Sequence, residues 1–286
     1  VATHDLTGNI GRAKEALRSA RVLLVTAGAG MGVDSGLPDF RGDEGFWKAY
    51  PPMARLGISF VEMANPSWFS RDPELAWGFY GHRLDLYRST TPHRGFRMLL
   101  DLGLSLPGGL FVFTSNVDGQ FQMAGFPEEG IVECHGSIHH LQCITPCSGR
   151  IWPADGVAVE VDEATFRARP PLPSCPSCGA MARPNVLMFG DWSWIPHRTS
   201  AQEERFDAWL EREGSAELVI VEIGAGTAVP TVRYTSERVA SRFGATLIRI
   251  NPREPQVPPG QIGLPMGAVE ALERIVGDVE GGEAGA

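Results

Sequence analysis

The chain has few cysteines, no long apolar run and a shortage of positive charge, and each deficit excludes something. None of its apolar runs approaches the ~20 residues that a bilayer-spanning helix needs. No charged-then-apolar leader stands ahead of Asp5. We therefore expect a soluble, cytoplasmic protein without a membrane partner. Its five cysteines, four of them in two close pairs, suit a reducing compartment and a metal better than a disulfide frame. Lys and Arg number 25 against 34 Asp and Glu, a formal charge of −9. That balance argues against a nucleic-acid surface and suits a cationic, lysine-bearing partner. No internal repeat is visible, and nothing in the sequence indicates an oligomeric state.

What is present reads as an α/β protein. Val22 to Val25 is a short, continuous, β-branched apolar run, the pattern of a strand buried on both faces of a parallel sheet. Gly28, Gly30 and Gly32 follow, and glycines there let backbone N–H groups turn toward a pyrophosphate. Val33 replaces the third glycine of the dinucleotide fingerprint, so these glycines alone also fit a tight turn. Four more apolar runs end in polar clusters. Residues 109–113 lead to Thr114-Ser115-Asn116-Val117-Asp118, and 130–133 to Cys134-His135-Gly136-Ser137. Residues 218–223 lead to Gly224-Ala225-Gly226-Thr227, and 246–250 to Asn251. Five such strand ends point to a ligand site on the carboxyl edge of an open sheet. Helical spacing over 6–20, 201–212, 232–243 and 266–276 supplies covers for it.

The fold expected is a Rossmann-like parallel sheet with helices on both faces, assembled from residues 1–42, 93–138 and 184–286. A smaller domain combines an aromatic helical insertion, 43–92, with a zinc-binding module, 139–183. In that module Cys143, Cys147, Cys175 and Cys178 form two knuckles with the spacing of a four-thiolate zinc ribbon. Four sulfurs complete a tetrahedron and leave no open position for water, so the metal is structural. Cys134, next to His135, points the opposite way along a strand and is expected to be a small buried filler. His135 itself is either a hydrogen-bonded bystander or an acid–base group, and the four neighbouring polar strand ends favour the second. In the insertion, Tyr80 and Arg83 share one face of a helix expected over 73–87. They form either a recognition pair or a surface arginine over a packed tyrosine.

The stretch Ser35-Gly36-Leu37-Pro38-Asp39-Phe40-Arg41-Gly42 resembles, nearly residue for residue, the signature of the sirtuins, NAD-dependent protein-lysine deacylases. Thr114 to Asp118 is similar to their Thr-Gln-Asn-Ile-Asp, and Cys134 to Ser137 to their His-Gly block. Arg183 to Asp191 resembles the Arg-Pro-x-Val-x-x-Phe-Gly-Glu segment that borders the peptide channel. Gly224 to Val229 and Ile250-Asn251 match the family's later nucleotide segments, the second of which holds the adenosine ribose. The match runs in order from the first strand to about Glu270.

The resemblance implies conversion of acyl-lysine and NAD to lysine, nicotinamide and O-acyl-ADP-ribose. It assigns His135 as base, with Asn116 and Asp118 beside it. It places NAD against Gly28, Ala29, Gly30, Asp39, Phe40, Arg41, Ser115, Asn116, Asp118, Gly224, Gly226 and Asn251. The acyl-lysine of a protein or peptide falls to Tyr80, Arg83, Val186, Phe189 and Gly190, and a Tyr-x-x-Arg at this place marks members that take acidic acyl groups. Zinc goes to the four cysteines. Ala27, Gly32, Ser115 and the Ala225-Gly226 pair depart from the family's Thr, Ser, Gln and Thr-Ser. Each removes or shortens a hydrogen-bonding group, worth roughly 1 kcal/mol if its partner stays buried. The departures leave open an NAD glycohydrolase, an ADP-ribosyltransferase or a catalytically silent NAD-binding interaction module. The joint presence of Asn116, Asp118 and His135 speaks against the last.

Overall fold

A computed structural model describes residues 6–39, 42–214 and 217–277, apart from the side chains of 42–44; Phe40 and Arg41 lie outside the described residues. Helix α1 (Leu6–Ser19) turns Ala13 and Leu17 into the core and leads to β1 (Val22–Ala27), all six of whose residues are buried. A 3₁₀ helix, Ala29–Ser35, follows. The insertion then supplies α2 (Gly42–Ala49), α3 (Pro51–Leu56), α4 (Phe60–Met63), α5 (Trp68–Arg71) and α6 (Pro73–Ser89). Asp72 starts α6 by accepting the Leu75 N–H at 3.2 Å, with Pro73 at the first helical position, where its missing donor costs nothing.

Next come α7 (Arg94–Ser105), β2 (Leu110–Thr114), α8 (Gln120–Met123) and β3 (Ile131–Glu133). The small domain contributes β4 (Gly136–Cys143), β5 (Ile151–Pro153), β6 (Val161–Asp162), β7 (Arg167–Ala168) and β8 (Ala182–Val186). The chain closes with α9 (His197–Glu213), β9 (Leu218–Ile223), α10 (Thr231–Phe243), β10 (Thr246–Ile250), β11 (Ile262–Leu264) and α11 (Ala268–Ile275).

The large sheet is parallel throughout, in the order β11-β10-β9-β1-β2-β3. The chain winds outward from β1 in one direction and from β9 in the other, so the switch point lies between them, where open α/β sheets bind ligands. Two elements carry little local signal. Strand β11 is a three-residue Ile-Gly-Leu among prolines, and α7 is capped by the His93 ring, which accepts the Gly95 N–H, in place of a Ser, Thr, Asp or Asn.

Buried charge joins β9 to β10. Glu222 and Arg249 are in register on neighbouring strands, 0% and 2% exposed, with Nε to Oε1 at 2.5 Å and Nη2 to Oε2 at 3.0 Å. Glu237 of α10 adds a contact at 2.8 Å to the same guanidinium. Leaving either partner alone in the core would cost several kcal/mol, roughly 3–5.

In the small domain β5, β4 and β8 form an antiparallel sheet. The register pairs Gly136 with Val186, so this sheet reaches past both ends of the 139–183 stretch expected for the module. The arm that carries β6 and β7 lies against α6. A Cβ at Gly78 would sit 2.1 Å from the Phe166 carbonyl oxygen, so only glycine permits that approach. Arg167 clamps the start of the helix through two 2.6 Å bonds to Asp72.

The four cysteine sulfurs lie within 4.8 Å of one another, with Cys143 to Cys178 and Cys147 to Cys175 both at 3.7 Å. A tetrahedral zinc with bonds of about 2.3 Å places its sulfurs about 3.8 Å apart. The donor set and its spacing therefore fit zinc. Freshly purified protein is expected to carry about one zinc per chain by metal analysis. Chelation or Cys175→Ala should lower the melting temperature and expose the 143–178 region to protease. A folded, metal-free preparation of unchanged stability would contradict this.

Candidate active site

A cavity of about 1120 Å³ opens at the carboxyl edge of the large sheet, between it and the small domain. At the switch point the loops after β1 and β9 touch backbone to backbone. Gly28 and Gly30 donate their N–H groups to the Ile223 and Gly224 carbonyls at 3.0 and 3.1 Å. Gly224 has φ 64°, and a Cβ there would lie 2.4 Å from the Gly30 Cα. This corrects the expectation that these N–H groups face a pyrophosphate: they are spent on the neighbouring strand, and the glycines serve the close approach of two loops. Gly28, Ala29, Gly224 and Gly226 line the cavity, whereas Gly30 lines an adjoining recess of about 80 Å³. Asp39 and Arg253 border both and form an ion pair.

The end of β2 is tied to the same loop. The Thr114 hydroxyl donates to the Ala27 carbonyl at 3.0 Å and accepts the Asn116 N–H at 3.0 Å. Asn116 Nδ2 donates to the Gly28 carbonyl at 3.0 Å, and Ser115 lies between them on the cavity wall. Asp118, 8% exposed, accepts the Gln120 N–H at 3.0 Å. Burial pushes its carboxyl up to about 6, opposed by that hydrogen bond and by the Arg83 charge.

His135 sits between β3 and β4, half-buried on the cavity wall. Desolvation holds its imidazole below the usual 6.5, offset in part by a hydrogen bond to the Ser115 backbone. Cys134 turns the other way into the apolar cluster with Phe113 and Phe206, and burial raises its thiol to about 12. It is a filler and no nucleophile. Asn251 stands apart from the cavity. It is fully buried, donates to the Ala225 carbonyl at 2.9 Å and accepts the Arg253 and Glu254 N–H groups at 3.0 Å each. Its side chain shapes the loop that borders the cavity.

On the small-domain side Tyr80, Arg83, Val186, Phe189 and Gly190 all line the same cavity. Arg83 is 6% exposed, which rules out a surface pair. The Tyr80 hydroxyl is buried and has no hydrogen-bond partner among the described residues. Phe189 is fixed by its N–H to the Ala64 carbonyl at 2.9 Å and by Asn65 Nδ2 to its own carbonyl at 3.0 Å. Arg183, fully buried, pairs with Asp191 at 2.8 and 2.9 Å and braces that turn.

Two of the departures from the family pattern, Ala27 and Gly32, leave apolar packing in their place, whereas Ser115, Ala225 and Gly226 line the cavity. Ala27 is fully buried, and a Cβ at Gly32 would come within 3.1 Å of the Leu37 side chain. Tyr87, Arg253 and Trp192 also line the cavity and carried no motif. Tyr87 was marked only by its i+4 spacing from Arg83; Trp192, 99% exposed at the rim, by nothing local.

The two adjoining recesses, glycine-walled at the switch point where β1 and β9 end and polar where β2 and β3 end, fit an extended dinucleotide. A family model described as the Sir2 family matches residues 28–229. An NAD-dependent protein deacylase of Thermus thermophilus is 31% identical over 268 residues, 92% of this chain and 92% of that one. Another from Aeropyrum pernix is 34% identical over 265 residues, 91% and 93% of the two chains. Among solved structures, a Sir2 homologue in complex with NAD superposes with a TM-score of 0.72 at 26% identity, over 95% of this chain and 94% of that one. With a signature that runs through its glycine loop, its histidine block and its later strand ends, this chain belongs to the Sir2 family, the sirtuins.

Proposed function

We propose that this chain is an NAD-dependent protein-lysine deacylase whose pocket takes acidic acyl groups. The observation that carries the acyl preference is the buried Tyr80 hydroxyl, which has no hydrogen-bond partner among the described residues and shares one cavity with Arg83, His135, Asn116 and Asp118. A guanidinium and a phenol together hold a carboxylate, which acetyl-lysine lacks. The relatives named above are NAD-dependent protein deacylases, which supports the reaction class.

NAD, when bound, supplies the ADP-ribosyl group that accepts the acyl chain. Gly28, Ala29, Gly224 and Gly226 would let it lie close to the backbone, and Asn116, Asp118, Ser115 and Asp39 would hold its polar groups. Because burial favours the neutral imidazole, His135 stands ready at neutral pH to accept a proton from a hydroxyl. Val186, Phe189 and Gly190 flank the lysine stem, and the net charge of −9 suits a cationic peptide.

Incubation with NAD and acyl-peptides, read by mass spectrometry, should yield free lysine peptide and acyl-ADP-ribose. Free or protein-bound ADP-ribose in its place would indicate a glycohydrolase or transferase. His135→Ala is expected to abolish acyl transfer and leave NAD affinity within about twofold by calorimetry.

The pH dependence follows from the sign of the shifts. The base must be neutral and its pKa is lowered, so kcat/KM should hold as pH falls through 6.5 and decline only below it. Asp118, at about 6, titrates nearby, and Asp118→Asn tells the two apart: the acid limb persists if His135 sets it.

Arg83→Met should raise KM for succinyl- or malonyl-peptide by about tenfold or more while kcat changes little, since the contact is equal in ground and transition states. An unchanged ratio of acidic to acetyl activity would place acyl selectivity elsewhere.

A further inference from the structure

Tyr87 stands one turn beyond Arg83 on α6 and lines the same cavity. Arg83 donates to the Tyr87 hydroxyl twice, from Nε at 3.0 Å and from Nη2 at 2.6 Å. Both donors lie on one edge of the planar guanidinium, so a single oxygen fixes the rotation of the whole group. The rings of Phe79, Tyr80 and Tyr87 surround it, 5.2, 5.8 and 5.3 Å from Cζ. Arg83 and Tyr87 are 6% and 5% exposed, so the contact is largely shielded from solvent. A long arginine side chain ordinarily loses much rotamer freedom when it captures an anion, and here that loss is met by the fold before any ligand arrives. The Tyr80 hydroxyl, buried without a partner among the described residues, is on the same helix face.

We infer that Tyr87 is a positioning residue for acyl selectivity: its hydroxyl holds the Nε–Nη2 edge of Arg83, so that the guanidinium and the Tyr80 hydroxyl meet the carboxylate of a succinyl- or malonyl-lysine in one preset geometry. This rests on the acidic-acyl reading of the cavity given above. A tyrosine in this role differs from a recognition residue, because it touches the ligand only through Arg83. Its removal takes away the oxygen that both donors share and loosens the hold on the guanidinium.

The test compares wild type, Tyr87→Phe and Arg83→Met, with equilibrium binding of succinyl-lysine and acetyl-lysine peptides measured by calorimetry and kcat and KM measured for each. Tyr87→Phe keeps the ring and its packing, and thermal melting with NAD titration checks that the fold is intact. The expected result is about a tenfold weaker succinyl-peptide affinity, a matching rise in KM with kcat within about twofold, and a succinyl-to-acetyl ratio close to that of Arg83→Met. If Arg83→Met loses the preference and Tyr87→Phe keeps it, the role of Tyr87 is overturned while the acidic-acyl reading stands. If wild type itself fails to favour the succinyl-peptide, that reading falls and this inference falls with it. If Tyr87→Phe lowers kcat alike with both peptides and melts earlier, Tyr87 is structural and the inference is overturned.

Discussion

The active site depends on backbone contact between two glycine loops at the sheet's switch point. With Gly30 Cα only 2.4 Å from where a Gly224 Cβ would be, any side chain there would drive the ends of β1 and β9 apart. Two asparagines hold the arrangement from either side. Asn116 bonds the Gly28 carbonyl, and Asn251 bonds the Ala225 carbonyl. Amide and carbonyl groups that would otherwise be orphaned at a buried strand end are thereby satisfied, and the cavity acquires a wall made of backbone.

The opposite wall is a helix held from behind. Ten of the residues of α6 from Leu75 to Tyr87 are buried, because the cavity lies on one side and the small domain on the other. Trp77 Nε1 bonds the Ala182 carbonyl of β8, Arg88 reaches the Ala154 and Val157 carbonyls, and Arg167 holds Asp72. The cysteine cluster closes the end of β4 against the loop that precedes β8. None of the four cysteines lines the cavity, and a zinc held by them would stiffen the sheet on which the cavity's small-domain wall rests.

Desolvation sets the electrostatics between those walls. It moves His135 down and Asp118 up, both toward the neutral form. Arg83 keeps its charge because no accessible pH removes a guanidinium proton. An imidazole held toward its neutral form and a fixed cation line the same cavity, so the space offers a proton acceptor and an anion partner together.

Strand ends, cysteine pairs and the histidine block were readable from residue order because each is a local pattern. Val22–Ala27 is an apolar run that continues two residues past its recognisable part, and Leu218–Ile223 and Thr246–Ile250 appear where the apolar runs lie. The sirtuin signature likewise carried the family without any contact being known. Tertiary structure decided the rest, since it depends on what meets across long separations. Asn116 finds Gly28 across 88 residues and Arg253 finds Asp39 across 214. Glycine N–H groups that could have faced a phosphate were claimed by β9, Asn251 was drawn inward to brace a loop, and Tyr87 became the holder of Arg83. Residue order specifies which groups a chain carries and in what periodicity; which of their donors and acceptors remain for a ligand is settled only when packing has satisfied the others.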